Sequence, residues 1–272
     1  MNQPLQNISF LKTQIKTICF LSFMGLLVFF GTLQSPFLYD DTHAIVENPH
    51  IKDLSKFQEK VGIQNIFNRS ILLLSFAINQ HIGELEVFGY HLANILIHVL
   101  NSILWFFLVA EILRIEPQEN RNWKNILPIV CSMIHLVNPL TIQTVTYISS
   151  RSSLLATFFY LLAFYIFVQI LKPAKKDASK CKTPFLVFGF LVILYLGIAT
   201  KEIVASFPLI ASIYLWLSTP KEKQKTIIPK ISAILFILLA FLAYRYLQQG
   251  NLFSLRADPT SENTHRLLYL LS

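Results

Sequence analysis

Residues 90–110 read YHLANILIHVLNSILWFFLVA, 21 positions without a charged side chain. At 1.5 Å per residue, a helix of that length measures about 30 Å, the thickness of a bilayer's hydrocarbon core. Within it His91, Asn94, His98 and Asn101 recur at i, i+3, i+7 and i+10, so all four fall on one helical face. Four hydrogen-bonding side chains turned towards lipid would be costly. The stripe must face a helix bundle or a watery cavity. Two uses remain open for it, bonding between helices and contact with a substrate, with His91 nearest the outer end.

Working outward, further uncharged runs cover Ile18–Leu33, Ile126–Leu140, Ser152–Leu171, Phe185–Ala199, Ile203–Leu217 and Ile231–Leu247. The chain of 272 residues therefore reads as one transmembrane domain, an all-α polytopic bundle of about seven spans. Composition agrees, since 54% of residues are apolar and 14% charged, against about 25% charged in soluble domains. The first run is long for a secretory signal and six more follow, so it is expected to be retained. The break at Ala199-Thr-Lys-Glu202 divides a stretch too long for one crossing and suits the outer turn of a helical hairpin.

The net charge of +8 follows from orientation. With the N-terminus inside, 14 of the 23 basic residues fall in the cytoplasm, among them Lys12, Lys16, Arg114, Lys124, Lys172, Lys182, Lys221 and Lys230. This is the positive-inside pattern, and no nucleic-acid partner is needed to explain it. Cys19 and Cys131 lie in spans and Cys181 in an inner lysine-rich loop, without the spacing of a zinc site.

The scarce outer charges carry the chemistry. A large outer loop, residues 34–89, opens Pro36-Phe-Leu-Tyr-Asp-Asp-Thr-His43. Asp40 and Asp41 can supply a general base or hold a divalent cation. They can equally form a solvated turn or a helix cap. His43, Glu47 and His50 add further polar groups. Asn68–Asn79 is too short to span and reads as a helix in the outer interface; its Asn68-Arg69-Ser70 also forms a glycosylation sequon, a weak signal. At the outer start of the fourth span, Arg151 can fork onto a phosphate or anchor the helix end. Lys201 can bind an anion or pair with Glu202.

Four segments taken together resemble a known family. Tyr39-Asp-Asp-Thr-His-Ala-Ile-Val-Glu-Asn48, Phe88-Gly-Tyr-His-Leu-Ala-Asn-Ile-Leu-Ile-His-Val-Leu-Asn101, Asn138-Pro-Leu-Thr-Ile-Gln-Thr-Val-Thr-Tyr-Ile-Ser-Ser-Arg151 and Thr200-Lys-Glu202 occur in that order. They are similar to signatures of the GT-C membrane glycosyltransferases, within them the transmembrane and tetratricopeptide-repeat, O-mannosyltransferase-like group and its bacterial relatives. Many relatives have His-Pro where Asn138-Pro139 stands and an acid at Gln143, and some have an Asp shortly after the Arg, where Ser152-Ser153 stands, so here polar capacity remains without charge. The family usually continues into more spans and a soluble repeat domain, whereas this sequence ends at Ser272.

The resemblance implies transfer of a sugar, mannose being one option, from a polyprenyl-phosphate donor to a hydroxyl of a protein or glycan acceptor. The site would face the periplasm or lumen of a bacterial or endoplasmic reticulum membrane. Asp40 or Asp41 would be the base, and Arg151 and Lys201 the phosphate ligands. His91 and Glu202 complete the candidate binding set. No cofactor is required, though a divalent cation is compatible. The alternatives are a scaffold, a transporter-like carrier, or a GT-C module without catalysis.

Overall fold

The computed structural model describes residues 3–52, 69–115, 121–172 and 182–220, with isolated helical positions between 222 and 240. The chain divides into two compact units, Met1–Val204 and Ala205–Ser272. Among the described residues all regular structure is helical.

In the first unit, α1 (Gln3–Phe29) runs into a 3-10 turn at Phe30–Thr32. A π-type turn at Thr42–Val46 and the one-turn α2 (Pro49–Lys52) follow. Then come α3 (Ser70–Gly83), α4 (Val87–Ile115) and α5 (Arg121–Val137). Beyond α5 the backbone makes a 3-10 turn, the short α6 (Ile142–Thr146) and a second 3-10 turn at Ile148–Ser150. The long α7 (Arg151–Leu171) and α8 (Lys182–Thr200) complete this unit's main helices. In the second unit the described helix is α9 (Phe207–Ser218).

Helix α4 is the hub, packing on α1, α5 and α7, while α7 packs on α8. One core joins Leu21 and Phe29 of α1 to Ile95, Val99 and Phe106 of α4 and Leu154 of α7. The other gathers Leu72, Leu73 and Phe76 of α3 around Tyr90, with Ile45 and Ile148. Gly25 lets α1 and α4 approach closely, because a Cβ there would run into Val99 Cγ2. Such small-residue contacts are the usual means of bringing helices together where lipid removes the hydrophobic drive.

The outer faces are strongly apolar. Phe23 and Leu27 on α1, Phe30 in the turn that follows it, and Leu96 and Leu100 on α4 are exposed, Phe30 to 71%. A water-soluble monomer does not present such a surface. Spans Gln14–Thr32, Val87–Arg114 and Ile148–Leu171 are long and apolar enough to cross a membrane. Trp123–Val137 with Pro139–Thr146 makes a fourth if the bent pair counts as one span. The chain is thus a helical, multi-pass membrane protein.

The expected seven spans are only partly matched. Pro184–Thr200 and Glu202–Ser218 are apolar but shorter than a full crossing, and 231–247 lies outside the described residues. The third span is not a single rod from Ile126 to Leu140: it stops at Val137 and bends by 47°. The reason is local. Pro139 disfavours helical backbone at Asn138, which is extended (φ −62°, ψ 122°), and the Asn138 side chain accepts from Leu140 N to start a new turn. Of the outer loop, 53–68 lie outside the described residues, including Asn68 of the sequon. A helix forms at Ser70–Gly83, within the stretch where a short helix is expected, with Leu72, Leu73 and Phe76 turned inward and Leu74, Ile78 and Ile82 exposed.

Candidate functional site

The polar stripe of α4 faces the bundle, and all four of its residues are buried. They do different things along the helix. At its N-terminal end, His91 Nε2 lies 3.0 Å from the Ser35 carbonyl, just past the end of α1. A carbonyl only accepts, so Nε2 carries the ring proton and Nδ1 is a bare acceptor, buried and without a partner among the described residues. One turn deeper, Asn94 Nδ2 donates to the carbonyls of Val145, Tyr147 and Ile148 at 3.2, 3.4 and 3.4 Å. Val145 is in α6, and Tyr147 and Ile148 are in the irregular stretch between α6 and α7, where carbonyls outside regular α-helical pairing need donors. Deeper still, His98 Nε2 meets Leu136 O at 3.0 Å and Asn101 donates to Leu154 O at 3.0 Å, tying α4 to α5 and α7.

Arg151 sits at the start of α7 and is 1% exposed. Its Nε donates to Asn94 Oδ1 at 2.7 Å, and Nη1 to Asn79 Oδ1 at 2.6 Å and Ser75 O at 3.2 Å. Nη2 donates to Tyr90 O at 2.9 Å. The guanidinium also lies 4.7 Å from the Phe76 ring centre, an attractive cation–π arrangement. The fork expected to hold a phosphate is engaged by neutral protein oxygens from α3 and α4. Arg151 clamps these two helices to α7.

The two aspartates have opposite environments. Asp41 is 1% exposed; its Oδ2 accepts from Leu38 N at 3.1 Å and its Oδ1 from Ser149 N at 2.7 Å. It bolts the outer loop to the lead-in of α7. Asp40 is exposed, and its backbone N–H donates to the Tyr147 hydroxyl at 2.9 Å. The turn that separates them begins at Tyr39, whose φ of 48° is in the left-handed region and whose side chain is 83% exposed. A non-glycine residue held there stores about 1–3 kcal/mol of strain.

Lys201 also reaches α7, donating from Nζ to Ser153 Oγ at 2.8 Å. It does not pair with Glu202, which is exposed. His43 Nδ1 and Glu47 lie 3.0 Å apart, an exposed i,i+4 pair. Among the described residues no group of three His, Cys, Asp or Glu side chains is placed to hold a metal ion. The structure therefore brings Asp40, Asp41, Arg151 and Lys201 to the first turn of α7 and its lead-in, while His91 is bonded to Ser35 and Glu202 lies outside that set of bonds. Sequence reasoning did not single out Tyr147 or assign Asn94 its role. The signal for Asn94 was its place in the stripe, whereas Tyr147 had none beyond lying in a quoted signature.

Fold and site together define a multi-pass helical membrane protein with a polar centre at one end of its bundle. Comparison with known proteins makes the kinship specific: the chain is a distant homologue of proteins named protein O-mannosyl-transferases. Over 177 residues it is 26% identical to protein O-mannosyl-transferase TMTC3 of Homo sapiens, covering 60% of this chain and 18% of that protein. Protein O-mannosyl-transferase F38B6.6 of Caenorhabditis elegans is 25% identical over 184 residues, 64% of this chain and 25% of the relative. TMTC1 of Homo sapiens is 26% identical over 145 residues, 49% of this chain and 16% of the relative. The chain thus spans a quarter or less of the length of these relatives. No family model matches it, and no solved structure matches it.

Proposed function

We propose that the chain is a membrane glycosyltransferase module that moves a sugar, mannose by analogy with its relatives' names, from a polyprenyl-phosphate donor to an acceptor hydroxyl. The site faces the periplasm or the lumen, and the acceptor is a protein or glycan. The observation that carries this reading is the division between the two aspartates. One carboxylate is fully used in holding the loop, and its neighbour is thereby presented, exposed and ionisable, beside the start of α7.

Asp40 then acts as the base. The acceptor oxygen attacks the anomeric carbon, and the bond from that carbon to the phosphate oxygen breaks with its electron pair leaving on the phosphate. The acceptor's proton passes to the Asp40 carboxylate. Attack opposite the leaving group inverts the anomeric centre. Lys201 is the phosphate ligand, since its only neighbour in the described set is the neutral Ser153 hydroxyl. Arg151 acts one step removed, by holding α3 and α4. The apolar faces between helices suit the polyprenyl chain.

A transporter-like carrier is the second reading, and the 47° bend after Val137 is the observation in its favour, because transporters use broken helices near their substrates. Membranes carrying the full chain, supplied with a polyprenyl-phosphate mannose donor and a serine- and threonine-containing peptide, separate the two. Asp40→Asn should lower transfer by about 10²–10⁴-fold, the usual contribution of a positioned base, without changing protein level. Transfer equal to that of the unmodified chain defeats the assignment of the base, and no transfer by the unmodified chain defeats the transferase reading.

A further inference from the structure

We infer that Tyr147 is a substrate-contacting residue of this site. Its phenolic oxygen sets Asp40, and its proton donates to an oxygen of the sugar phosphate. The inference rests on the transferase reading and names a residue that reading does not require.

A phenol has one proton to give and lone pairs with which to accept. The Tyr147 oxygen accepts from Asp40 N at 2.9 Å, so its own O–H points elsewhere. Among the described residues nothing receives that proton. The ring is half-buried and Asp40 is exposed, so the hydroxyl lies at the wet edge of the site. A free donor is thus held against the backbone of the residue that carries the exposed carboxylate.

The phenol is also unusually well anchored for a residue between two helices. Asn94 holds the carbonyl of Tyr147 itself as well as those of Val145 and Ile148. Two residues on, Ser149 N is held by Asp41 at 2.7 Å. Asn94 is in turn fixed by Arg151 Nε at 2.7 Å. A chain of bonds therefore runs from the buried guanidinium to the phenol that sets the base. Donors fixed in advance where charge develops are the ones that lower a barrier.

During transfer the charge grows on the phosphate oxygen released from the anomeric carbon. Tyr147 donates a hydrogen bond to a phosphate oxygen and keeps its proton. The proton that moves is the acceptor's, and it goes to Asp40. Donor and base thus serve opposite ends of one displacement.

The test uses the full chain in membranes, a polyprenyl-phosphate mannose donor and a serine- and threonine-containing peptide. Tyr147→Phe keeps the ring and should lower turnover by about 10²-fold, as loss of one preorganised donor does. Fluorinated tyrosines placed at 147 distinguish donation from tethering, because ring fluorine strengthens O–H donation and weakens acceptance by the oxygen. Turnover that rises with fluorination supports the proposal. Turnover that falls with fluorination marks a tether alone and overturns it, as does a Phe variant as active as the unmodified chain. An unmodified chain that transfers nothing removes the transferase reading itself, and this proposal with it.

Discussion

The two ends of α4 are closed by different chemistry. At its N-terminal end the bonds reach carbonyls of several kinds: His91 meets Ser35, Asn94 meets Val145, Tyr147 and Ile148 in and beside the irregular lead-in to α7, and Arg151 meets the helical carbonyls of Tyr90 and Ser75. At its C-terminal end a conventional ion cluster joins α4 to the end of α7. Glu111, 5% exposed, pairs with Lys172 and, at 3.4 Å, with Arg114. The C-terminal cluster fastens two regular helices. The N-terminal network also holds the irregular stretch between α6 and α7, which a bilayer tolerates only where protein surrounds it. Irregular backbone supported at that expense is what a site needs and a plain bundle does not.

The contrast can be broken most severely at Arg151. Arg151→Met removes the donor to four protein oxygens at once and should cost on the order of 3–5 kcal/mol, as breaking a buried charged network does. The expected result is loss of detergent-stable protein in a melting assay, with Arg151→Lys recovering only part because a point charge cannot reproduce the fork. Retention of full stability in the Met variant would show that the N-terminal network is dispensable.

A smaller effect is expected midway along the bundle. Gly25→Leu overfills the α1–α4 contact and should cost about 1–3 kcal/mol. Val99→Ala, which removes the methyl that a Cβ at Gly25 would meet, should restore part of it. Failure of that rescue would place the strain elsewhere.

At the C-terminal end of α4, Glu111→Gln should cost about 1.5 kcal/mol, the scale of a hydrogen bond to a charged group, and should leave sugar transfer unchanged. A fall in transfer without a fall in melting temperature would erase the distinction between the two ends. The least effect belongs to Asn101→Leu. Its one side-chain bond among the described residues, to Leu154 O, is of a kind that averages about 0.6 kcal/mol inside membranes, and its Oδ1 has no partner among them. A near-neutral melting shift is expected; a loss as large as that of Arg151→Met would show that the deep half of the stripe matters as much as the N-terminal half.

Much of the fold was legible because its signals are additive over many residues. Runs without charge mark helices, and a 3.6-residue period marks the face of α4 that looks inward. The break after Val137 was hidden by the apolar residues on both sides of Asn138-Pro139, although the proline itself pointed to it. The site was legible as a set of residues but not as a set of roles. Asp40 and Asp41 are identical side chains one position apart, and which of them meets Leu38 N and Ser149 N is set by contacts that local pattern does not show. Arg151 read equally well as a phosphate fork or an anchor, because sequence does not say whether its donors are already taken. Tyr147 meets Asp40 across 107 positions, a separation that local pattern cannot bridge.

The clamp at Arg151 also bears on how the chain is assembled. Each acceptor it uses, on Ser75, Asn79, Tyr90 and Asn94, precedes it in the sequence. A ribosome therefore delivers every oxygen before it delivers the guanidinium. When α7 emerges, its charged first residue meets a finished receptacle rather than bare hydrocarbon. Reversing that order, by circular permutation or by supplying α7 from a separate upstream fragment, would ask a naked cation to wait in the membrane for its partners.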